Sequence, residues 1–309
     1  MTAARIHRFG APDVIFIEDV PVPLPKGNEI QVRIHAAGVG PWDGLVRAGK
    51  SSLPQRLPLI LGSEIAGTVE RVGPSVSEFS PGDRVFGVCN DQFTGGYAEC
   101  GVASAAMLAA APKSLSWIDA ASVPVAAVTA LQMLSAQGQS RAWKNIFVHG
   151  GAGSVGAYVI QLARHAGMTV HASIRKSGAH YARRLGAETV IDTDKTDLTG
   201  EARWADLVID TVGDTAQDEL LDILKPGGML VSSAARPDAA KAAAKGVKAV
   251  AFIVDVTARD LATIADLFDR KLLQTNVGTV LPLHEARLAH EMLEGQRAHA
   301  PGKIVLEDG

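Results

Sequence analysis

Three glycines at a fixed spacing form the pattern in this chain that most directly predicts chemistry. Gly151, Gly153 and Gly156 fit G-x-G-x-x-G within the stretch IFVHGGAGSVGAYVIQLA. An apolar segment precedes the turn, and apolar residues at helical spacing follow it. Such a turn lets backbone N–H groups approach a pyrophosphate, and the N-terminus of the next helix adds about half a positive charge. We therefore predict a dinucleotide-binding turn that consists of Gly151, Ala152, Gly153, Ser154, Val155 and Gly156.

The same stretch allows two other interpretations. A glycine turn can simply pack a helix against a sheet. The residues around Ser154 also approximate the nucleophile elbow of a serine hydrolase, and Asp210 and His284 follow in the chain order of its triad. Against the hydrolase, Ala152 stands where the elbow needs glycine, and the sheet opens at this strand rather than several strands earlier. Dinucleotide binding is the prediction, and the hydrolase remains an alternative.

The end of the second predicted strand indicates which dinucleotide binds. The strand ends in HASIRK and has no carboxylate at the point where an NAD site usually places an acid for the ribose hydroxyls. Arg175 could grip a 2′-phosphate with its planar guanidinium, and Ser173 could donate a hydrogen bond to it. One hydrogen bond to a charged group contributes about 1.5–3 kcal/mol. We predict NADPH as the cofactor, with Ser173, Arg175 and Lys176 at its phosphate, although Lys176 alone could equally be a solvated loop residue.

The remaining sequence predicts the elements that hold this turn. Before about residue 125, short apolar runs between Gly, Pro and Ser turns predict an antiparallel barrel or sandwich; residues 29–36 alternate apolar and polar at every step. Apolar strands then alternate with helices, which is typical of a parallel sheet buried on both faces. Helices are predicted at residues 259–268 and 284–293, around a short segment at Val280, and the last strand is KIVLE.

Composition excludes several classes of function. The chain has 309 residues, a formal net charge of −3 and no run of Lys and Arg, so we expect no nucleic-acid partner and no anionic membrane partner. The N-terminal residues MTAARIHRFG lack the apolar core of a signal sequence. The longest apolar tract carries Pro124, Thr129 and Gln132, which favours a buried helix over a membrane span. The two cysteines are typical of a reducing compartment, and we expect a cytoplasmic protein.

Seven segments spread over nearly the whole chain carry a specific resemblance. They are RIHRFGAPDVIFIEDVPVP, AAGVGPWDGLVRAG, LPLILGSEIAGTVERVG, PGDRVFG, VHGGAGSVG, LKPGGMLV and APGKIVLE. Together they resemble the medium-chain dehydrogenase/reductase family, in its zinc-independent, quinone oxidoreductase-like branch. The resemblance implies an α/β fold: a Rossmann-type doubly wound parallel sheet at 126–254, plus a β-rich GroES-like substrate domain formed from both chain ends, 1–125 and 255–309. It also implies a cofactor cleft between the domains and, commonly, a homodimer.

Departures from the zinc-dependent members of this family predict a site without a metal. In those relatives a metal-binding Cys stands where this chain has Gly40, and a His stands where it has Ser63. Their third metal ligand falls near Val125. Asp43 and Glu64 are the acidic residues that this chain still has in these segments. Glycine, a serine hydroxyl and valine cannot make a stable zinc site, which needs three protein ligands. We therefore expect no bound metal. Members of the quinone oxidoreductase-like branch often have Asn at the position of Gly40. The absence of that Asn side chain implies a roomier or differently bonded pocket in this chain.

The absence of a metal restricts the substrate. An alcohol is then a poor substrate, because nothing stabilises its alkoxide. A quinone or an α,β-unsaturated carbonyl delocalises the arriving charge, and water can supply the proton. The prediction is NADPH-dependent hydride transfer to a quinone or an α,β-unsaturated carbonyl. A non-enzymatic NADPH-binding or structural protein is the alternative, because the branch includes a lens crystallin.

The resemblance also implies further cofactor contacts. Thr129 matches a position that neighbours the nicotinamide, although a helix hydroxyl bonded to its own backbone is an equal alternative. The ends of later strands supply the rest, because such sheets bind ligands outside the carboxyl ends of their strands. These residues are Val212, Ser233, Ala234, Phe252 and Ile253.

Candidate catalytic residues come from the first part of the chain, together with Thr129. Trp42 could line the acceptor pocket or fill an interface. Asp43 could orient groups at the site, although capping the following helix is at least as good an interpretation. Ser63 and Glu64 could hold a proton relay, with a structural role favoured. Tyr97 could donate a proton, although a core position on a strand is the stronger interpretation.

Overall fold

The computed structural model describes residues 1–135, 143–175, 178–194, 203–213 and 216–308, and the chain divides into two compact units. The first unit joins Met1–Val125 to Val256–Gly309, and the second is Ala126–Asp255. The first unit is therefore built from both ends of the chain. The assignment of substrate to one unit and cofactor to the other stays a prediction.

Two sheets form the first unit, and most of their neighbouring strands are antiparallel. The smaller sheet has the order β2-β1-β4, with β1 (Thr2–Ile6), β2 (Phe16–Asp19) and β4 (Leu59–Ile60). The larger sheet has the order β15-β16-β3-β5-β6-β8, with β7 also paired to β3. Its strands are β3 (Glu29–Val39), β5 (Glu64–Val72), β6 (Arg84–Val88), β7 (Cys100–Ser104), β8 (Leu108–Ala110), β15 (Val277–Pro282) and β16 (Lys303–Glu307). The last strand of the chain thus pairs with β3 near its start.

Helices at both ends of the chain complete the first unit: α1 (Pro41–Arg47), α2 (Trp117–Ala121), α8 (Ala258–Asp269) and α9 (Ala286–Leu293). The Thr257 hydroxyl caps α8 by accepting the Asp260 amide at 3.1 Å. The helix predicted at 259–268 is therefore confirmed within one residue at each end. The helix predicted from residue 284 begins later, because Leu283–Glu285 forms a 3-10 turn before α9.

A buried arginine ties the start of the first unit to its end. Arg47 is 2% exposed, and its Nε donates to the Gly10 carbonyl at 3.0 Å. One terminal nitrogen lies 3.2 Å from Nδ1 of His290, and the other pairs with the Glu294 carboxylate. Burial, and then the Arg47 charge, lowers the pKa of His290 to about 3. The imidazole is therefore neutral at pH 7 and accepts from Arg47, which holds α9 against α1.

The second unit is a six-stranded parallel sheet in the order β11-β10-β9-β12-β13-β14. Its strands are β9 (Asn145–His149), β10 (Thr169–Ile174), β11 (Thr189–Asp192), β12 (Ala205–Asp210), β13 (Leu224–Ser232) and β14 (Lys248–Ala251). Its helices are α3 (Pro124–Ser135), which begins two residues before the unit, α4 (Ser154–His165), α5 (Ala179–Leu185), α6 (Gln217–Asp222) and α7 (Ala239–Ala244). The strand order reverses between β9 and β12, which is the doubly wound arrangement of a dinucleotide-binding sheet. The predicted fold class is confirmed.

Central strands of this sheet are buried on both faces, as their apolar sequences predict. Ile146, Phe147 and Val148 in β9 are each at most 1% exposed. Helix α4 covers the sheet with a continuous buried stretch from Gly156 to Ala163. Among the described residues, no helix is both long and apolar enough to cross a membrane.

Candidate functional site

The glycine turn joins β9 to α4 in the second unit. The amides of Gly150 and Gly151 donate to the Ser173 carbonyl at 3.2 and 2.9 Å, which fixes the turn against the end of β10. Gly153 is the N-cap residue of α4. The first amides of a helix have no acceptor inside it, and they carry the positive end of the helix dipole. The turn therefore presents backbone donors and a partial positive charge to an anion.

Two of the glycines are required by packing, and the third faces outward. A Cβ at Gly156 would overlap the carbonyl oxygen of Gly150 and lie 2.9 Å from its carbonyl carbon. A Cβ at Gly151 would lie 2.7 Å from that of Ala172. Gly153 is exposed, and its Cβ would come no closer than 3.3 Å to the Gly150 oxygen. Gly151 and Gly156 let the helix approach the strand, whereas Gly153 keeps the outer side of the turn bare.

A pocket of about 300 Å³ lies beside this turn. The residues that line it are His149, Gly150, Ala152, Gly153, Ser173, Ile174, Arg175, Thr193, Thr211 and Val212. No carboxylate is among these described lining residues, and Arg175 contributes an exposed, permanently charged guanidinium. The wall of the pocket at the end of β10 is thus suited to an anionic group.

Ser173 is placed differently from Arg175. Its side chain is fully buried, and its hydroxyl lies 2.6 Å from Nδ1 of His149. The Ser173 hydroxyl therefore already has a hydrogen-bond partner in His149. Of these two predicted phosphate ligands, Arg175 is the exposed residue in the pocket lining. Lys176, the third residue predicted at the phosphate, lies outside the described residues.

Asp210 orders the loop that follows β12. Its Oδ1 accepts the amides of Val212 and Gly213 at 3.0 and 2.9 Å. Its Oδ2 accepts Gln217 Nε2 at 3.0 Å and the Ser232 hydroxyl at 2.8 Å. With both oxygens used in this way, Asp210 holds Val212 at the pocket wall and is not poised as the acid of a hydrolase triad.

The other predicted cofactor contacts do not line this pocket. Ser233 and Ala234 are exposed just after β13, and Phe252 and Ile253 follow the end of β14, where Ile253 is 78% exposed. Because the strands are parallel, these positions share the edge of the sheet at which the pocket lies. Thr129 is buried on α3.

A second group of polar side chains is buried in the first unit; we call Gly40, Asp43, Glu64, Tyr97 and Lys303 the Glu64 cluster. Glu64 begins β5 and is 2% exposed. Its Oε1 accepts the Val125 amide at 2.9 Å, near the N-terminus of α3. Its Oε2 pairs with the Lys303 ammonium, which comes from β16 and is also buried.

Asp43 lies in the same cluster and is 1% exposed. Its Oδ2 accepts the Gly40 amide at 2.8 Å and the Tyr97 hydroxyl at 3.0 Å, while its Oδ1 is buried with no hydrogen-bond partner in the described chain. Burial raises the pKa of Asp43 to about 7, against the opposing effects of the Gly40 amide and the Lys303 charge. The bond to Gly40 is a helix-capping contact, and the bond to Tyr97 belongs to the cluster.

Trp42 and Ser63 flank the cluster in sequence without belonging to it. The Trp42 ring lies 5.7 Å from that of Phe93, and its Nε1 is buried without a hydrogen-bond partner in the described chain. Ser63 is 3% exposed, and its carbonyl accepts the Cys89 amide at 3.2 Å. Trp42, Asp43 and Ser63 stay candidates for the site.

The raised pKa of Asp43 predicts a pH-dependent stability. The folded protein binds the Asp43 proton more tightly than the unfolded chain, so this residue makes the protein less stable as pH rises from about 4 to about 7. Asp43→Asn cannot ionise. We expect its free energy of unfolding, relative to the wild type, to increase by up to about 4 kcal/mol between pH 4 and pH 8. Urea unfolding at both pH values measures this difference.

The exposed residue Asp91 provides the control. The Asp91→Asn variant should follow the wild type at both pH values. Equal pH dependence of the Asp43→Asn variant and the wild type would show that folding does not raise the pKa of Asp43.

Sequence reasoning missed Lys303 and several pocket residues. KIVLE was recognised as a strand, but a lysine that enters an apolar strand from a turn usually keeps its ammonium in water. His149, Thr193 and Thr211 also reach the pocket. Each is the last residue of an apolar strand or directly follows one, and that position was the available signal.

Known proteins resemble both units. Residues 26–132 match the family described as "Alcohol dehydrogenase GroES-like domain", and residues 185–306 match "Zinc-binding dehydrogenase". The quinone oxidoreductase of Mus musculus is 32% identical over 241 residues, which are 75% of this chain and 72% of that protein. The structure of the quinone oxidoreductase from Coxiella burnetii has a TM-score of 0.91 and 31% identity, and covers 100% of this chain and 99% of its own.

A quinone oxidoreductase of Escherichia coli, solved in complex with NADPH, has a TM-score of 0.88 and 26% identity, covering 99% of this chain and 100% of its own. These matches extend over both units and include proteins named as oxidoreductases. They therefore do not support the alternative interpretation of the chain as a serine hydrolase. The chain belongs to the medium-chain dehydrogenase/reductase family, in its quinone oxidoreductase-like branch, and is an oxidoreductase with a small-molecule substrate.

Proposed function

We propose that this protein reduces quinones or α,β-unsaturated carbonyls with NADPH and without a zinc ion. The observation that carries the proposal is the pocket beside the glycine turn, which has an exposed guanidinium and no carboxylate among its described lining residues. Family membership makes a nicotinamide coenzyme the expected occupant of such a pocket, and one relative was solved with NADPH.

The residues present fit this coenzyme. Gly153 has no side chain at the exposed side of the turn, and the opening amides of α4 have no acceptor inside the helix. Arg175 would hold the 2′-phosphate, and Val212, fixed by Asp210, would bound the pocket. The bound coenzyme would supply the hydride, while these residues bind and orient it.

Arg175 is expected to decide which coenzyme binds. In Arg175→Glu, a carboxylate replaces the guanidinium beside the 2′-phosphate, so NADPH affinity should fall about ten- to a hundredfold while NADH affinity stays within about threefold. Fluorescence titration of each coenzyme measures the ratio. Arg183→Glu, at an exposed arginine of α5 that does not line the pocket, is the matched control. An unchanged ratio in Arg175→Glu would show that another group reads the phosphate.

The residues at the metal position of zinc-dependent relatives do not fit zinc. Gly40 has no side chain and Val125 has no donor atom, which leaves the Ser63 hydroxyl as one weak ligand where three are needed. Of the two nearby carboxylates, Glu64 is already paired with Lys303, and Asp43 already accepts two hydrogen bonds. The described residues contain no group of three or more His, Cys, Asp or Glu side chains that could hold a metal. We therefore propose activity without a Lewis acid, which favours conjugated acceptors over alcohols.

A panel of acceptors tests the activity. NADPH oxidation would be followed with benzoquinones, naphthoquinones, cyclic enones and simple alcohol–aldehyde pairs, before and after dialysis against a chelator. We expect turnover with quinones or enones that survives the chelator. NADPH binding without oxidation of any acceptor would support the non-enzymatic alternative, and loss of turnover after chelation would contradict the metal-free proposal.

The oligomeric state and location are proposed from the family alone. We propose a homodimer in the cytoplasm. Sedimentation analysis of the purified protein and fractionation of the source cells are the respective measurements.

A further inference from the structure

Four polar residues form a row across the carboxyl ends of the central strands of the second unit. Ser173 of β10 is in register with His149 of β9, which is also in register with Asp210 of β12. Asp210 is in turn in register with Ser232 of β13. Residues in register on paired strands belong to the same face of a sheet, and each of these four is at most 4% exposed. We call Ser173, His149, Asp210 and Ser232 the polar row.

Hydrogen bonds within the polar row assign a partner to each of its hydroxyl groups. The Ser232 hydroxyl donates to Asp210 Oδ2 at 2.8 Å, and Asp210 Oδ1 accepts two amides of its own loop. The Ser173 hydroxyl lies 2.6 Å from His149 Nδ1. The side chain of residue 173 therefore meets the imidazole of His149, and the register of β9 and β10 fixes this contact.

Residue 173 also stands near the end of the second strand of the sheet, where NAD sites place an acid for the ribose hydroxyls. Its carbonyl accepts the Gly150 and Gly151 amides at 3.2 and 2.9 Å, so this position is part of the glycine turn. Both Ser173 and His149 line the pocket beside that turn. A polar side chain at residue 173 thus has two competing partners, the imidazole of His149 and the ribose of a coenzyme in the pocket.

The imidazole would hold an acid at residue 173 even more firmly than it holds the serine. A carboxylate favours the protonated, cationic form of a neighbouring imidazole. Hydrogen bonds between two ionised groups are about twice as strong as those between neutral groups. The carboxylate would then be neutralised inside the protein instead of accepting hydrogen bonds from the ribose.

We propose that His149 is a specificity-determining residue for the coenzyme, because its imidazole withdraws the side chain of residue 173 from the ribose hydroxyls. Arg175 favours NADPH by binding the 2′-phosphate, whereas His149 acts against NADH by removing the polar contact that its ribose would need. The proposal deepens the coenzyme part of the proposed function and rests on it.

Coenzyme titrations of paired variants test the proposal. Ser173→Asp introduces the acid of an NAD site, and Ser173→Asp/His149→Phe removes the imidazole from the same background. Fluorescence titration of each apoprotein measures its affinity for NADH and for NADPH. We expect the NADH affinity of Ser173→Asp to stay within about threefold of the wild type, and that of the double variant to be at least about tenfold higher. His149→Phe alone should stay within about threefold of the wild type, because a neutral hydroxyl binds the ribose less strongly than a carboxylate.

Urea unfolding of the same apoproteins tests the contact without any coenzyme. His149→Phe should lower the urea midpoint more in the Ser173→Asp background than in the wild type, because it leaves a buried carboxylate without its partner. If circular dichroism shows that a variant is unfolded, His149→Leu replaces His149→Phe, or Ser173→Asn replaces Ser173→Asp. The same order of NADH affinities and of urea midpoints is expected.

Two results would overturn the proposal. One is an NADH affinity of Ser173→Asp that already equals that of the folded double variant. The other is an equal effect of His149→Phe on the urea midpoint in both backgrounds. Failure of the wild type to bind either coenzyme would instead contradict the proposed function, and the urea midpoints would still decide whether His149 holds residue 173.

Discussion

Gly156→Ala is expected to lose both stability and coenzyme binding, whereas Gly153→Ala should lose binding alone. A methyl group at residue 156 collides with backbone atoms of Gly150, which cannot swing aside as a side chain can. Overpacking of this kind costs about 1–3 kcal/mol, and relief requires α4 to move away from the turn. Movement of α4 displaces the amides that would bind the pyrophosphate, so NADPH affinity should fall by at least about a hundredfold, or about 2.7 kcal/mol.

Gly153→Ala is the matched control, because the same methyl group is added three residues earlier. Its Cβ meets one oxygen at 3.3 Å and otherwise faces outward. An alanine at an N-cap costs a few tenths to 1 kcal/mol, so its unfolding curve should stay close to that of the wild type. The methyl group would nevertheless stand where the pyrophosphate approaches. Urea unfolding and NADPH titration separate the two effects, and wild-type behaviour of Gly156→Ala in both would contradict the packing described for the turn.

The glycine turn was predictable because all its determinants are local. Gly151 and Gly156 stand at fixed distances from an apolar strand and an amphipathic helix, and those periods are visible in the sequence alone. The doubly wound sheet follows from the same alternation, and its strand order agrees with the resemblance carried by VHGGAGSVG and LKPGGMLV. The location of the pocket at the carboxyl ends of the strands then follows from the topology.

Contacts that depend on register or on chain ends were not predictable. Ser173 lies beside His149 because β10 and β9 pair in one particular register, and that register turns the Ser173 hydroxyl toward the imidazole. Glu64 and Lys303 are 239 residues apart, and they meet because β16 pairs with β3, which also pairs with β5. Composition and periodicity do not report which distant strands become neighbours, so the buried ion pair required a structure.

Lys303→Met is expected to lower the free energy of unfolding by about 3–5 kcal/mol at pH 7, because it leaves the buried Glu64 carboxylate without its counter-ion. The double variant Lys303→Met/Glu64→Gln should be more stable than Lys303→Met alone, since the amide carries no charge and its oxygen can still accept the Val125 amide. The coupling energy in this cycle should therefore be about 0.5–3 kcal/mol. Urea unfolding of the four proteins measures it.

The half-exposed pair of Lys225 and Asp206, joined at 2.8 Å, provides the comparison. Lys225→Met should cost no more than about 1 kcal/mol, because water replaces much of what the ammonium supplied. If Lys303→Met cost no more than Lys225→Met at pH 7, the buried pair of Lys303 and Glu64 would contribute no more to stability than the more exposed pair of Lys225 and Asp206.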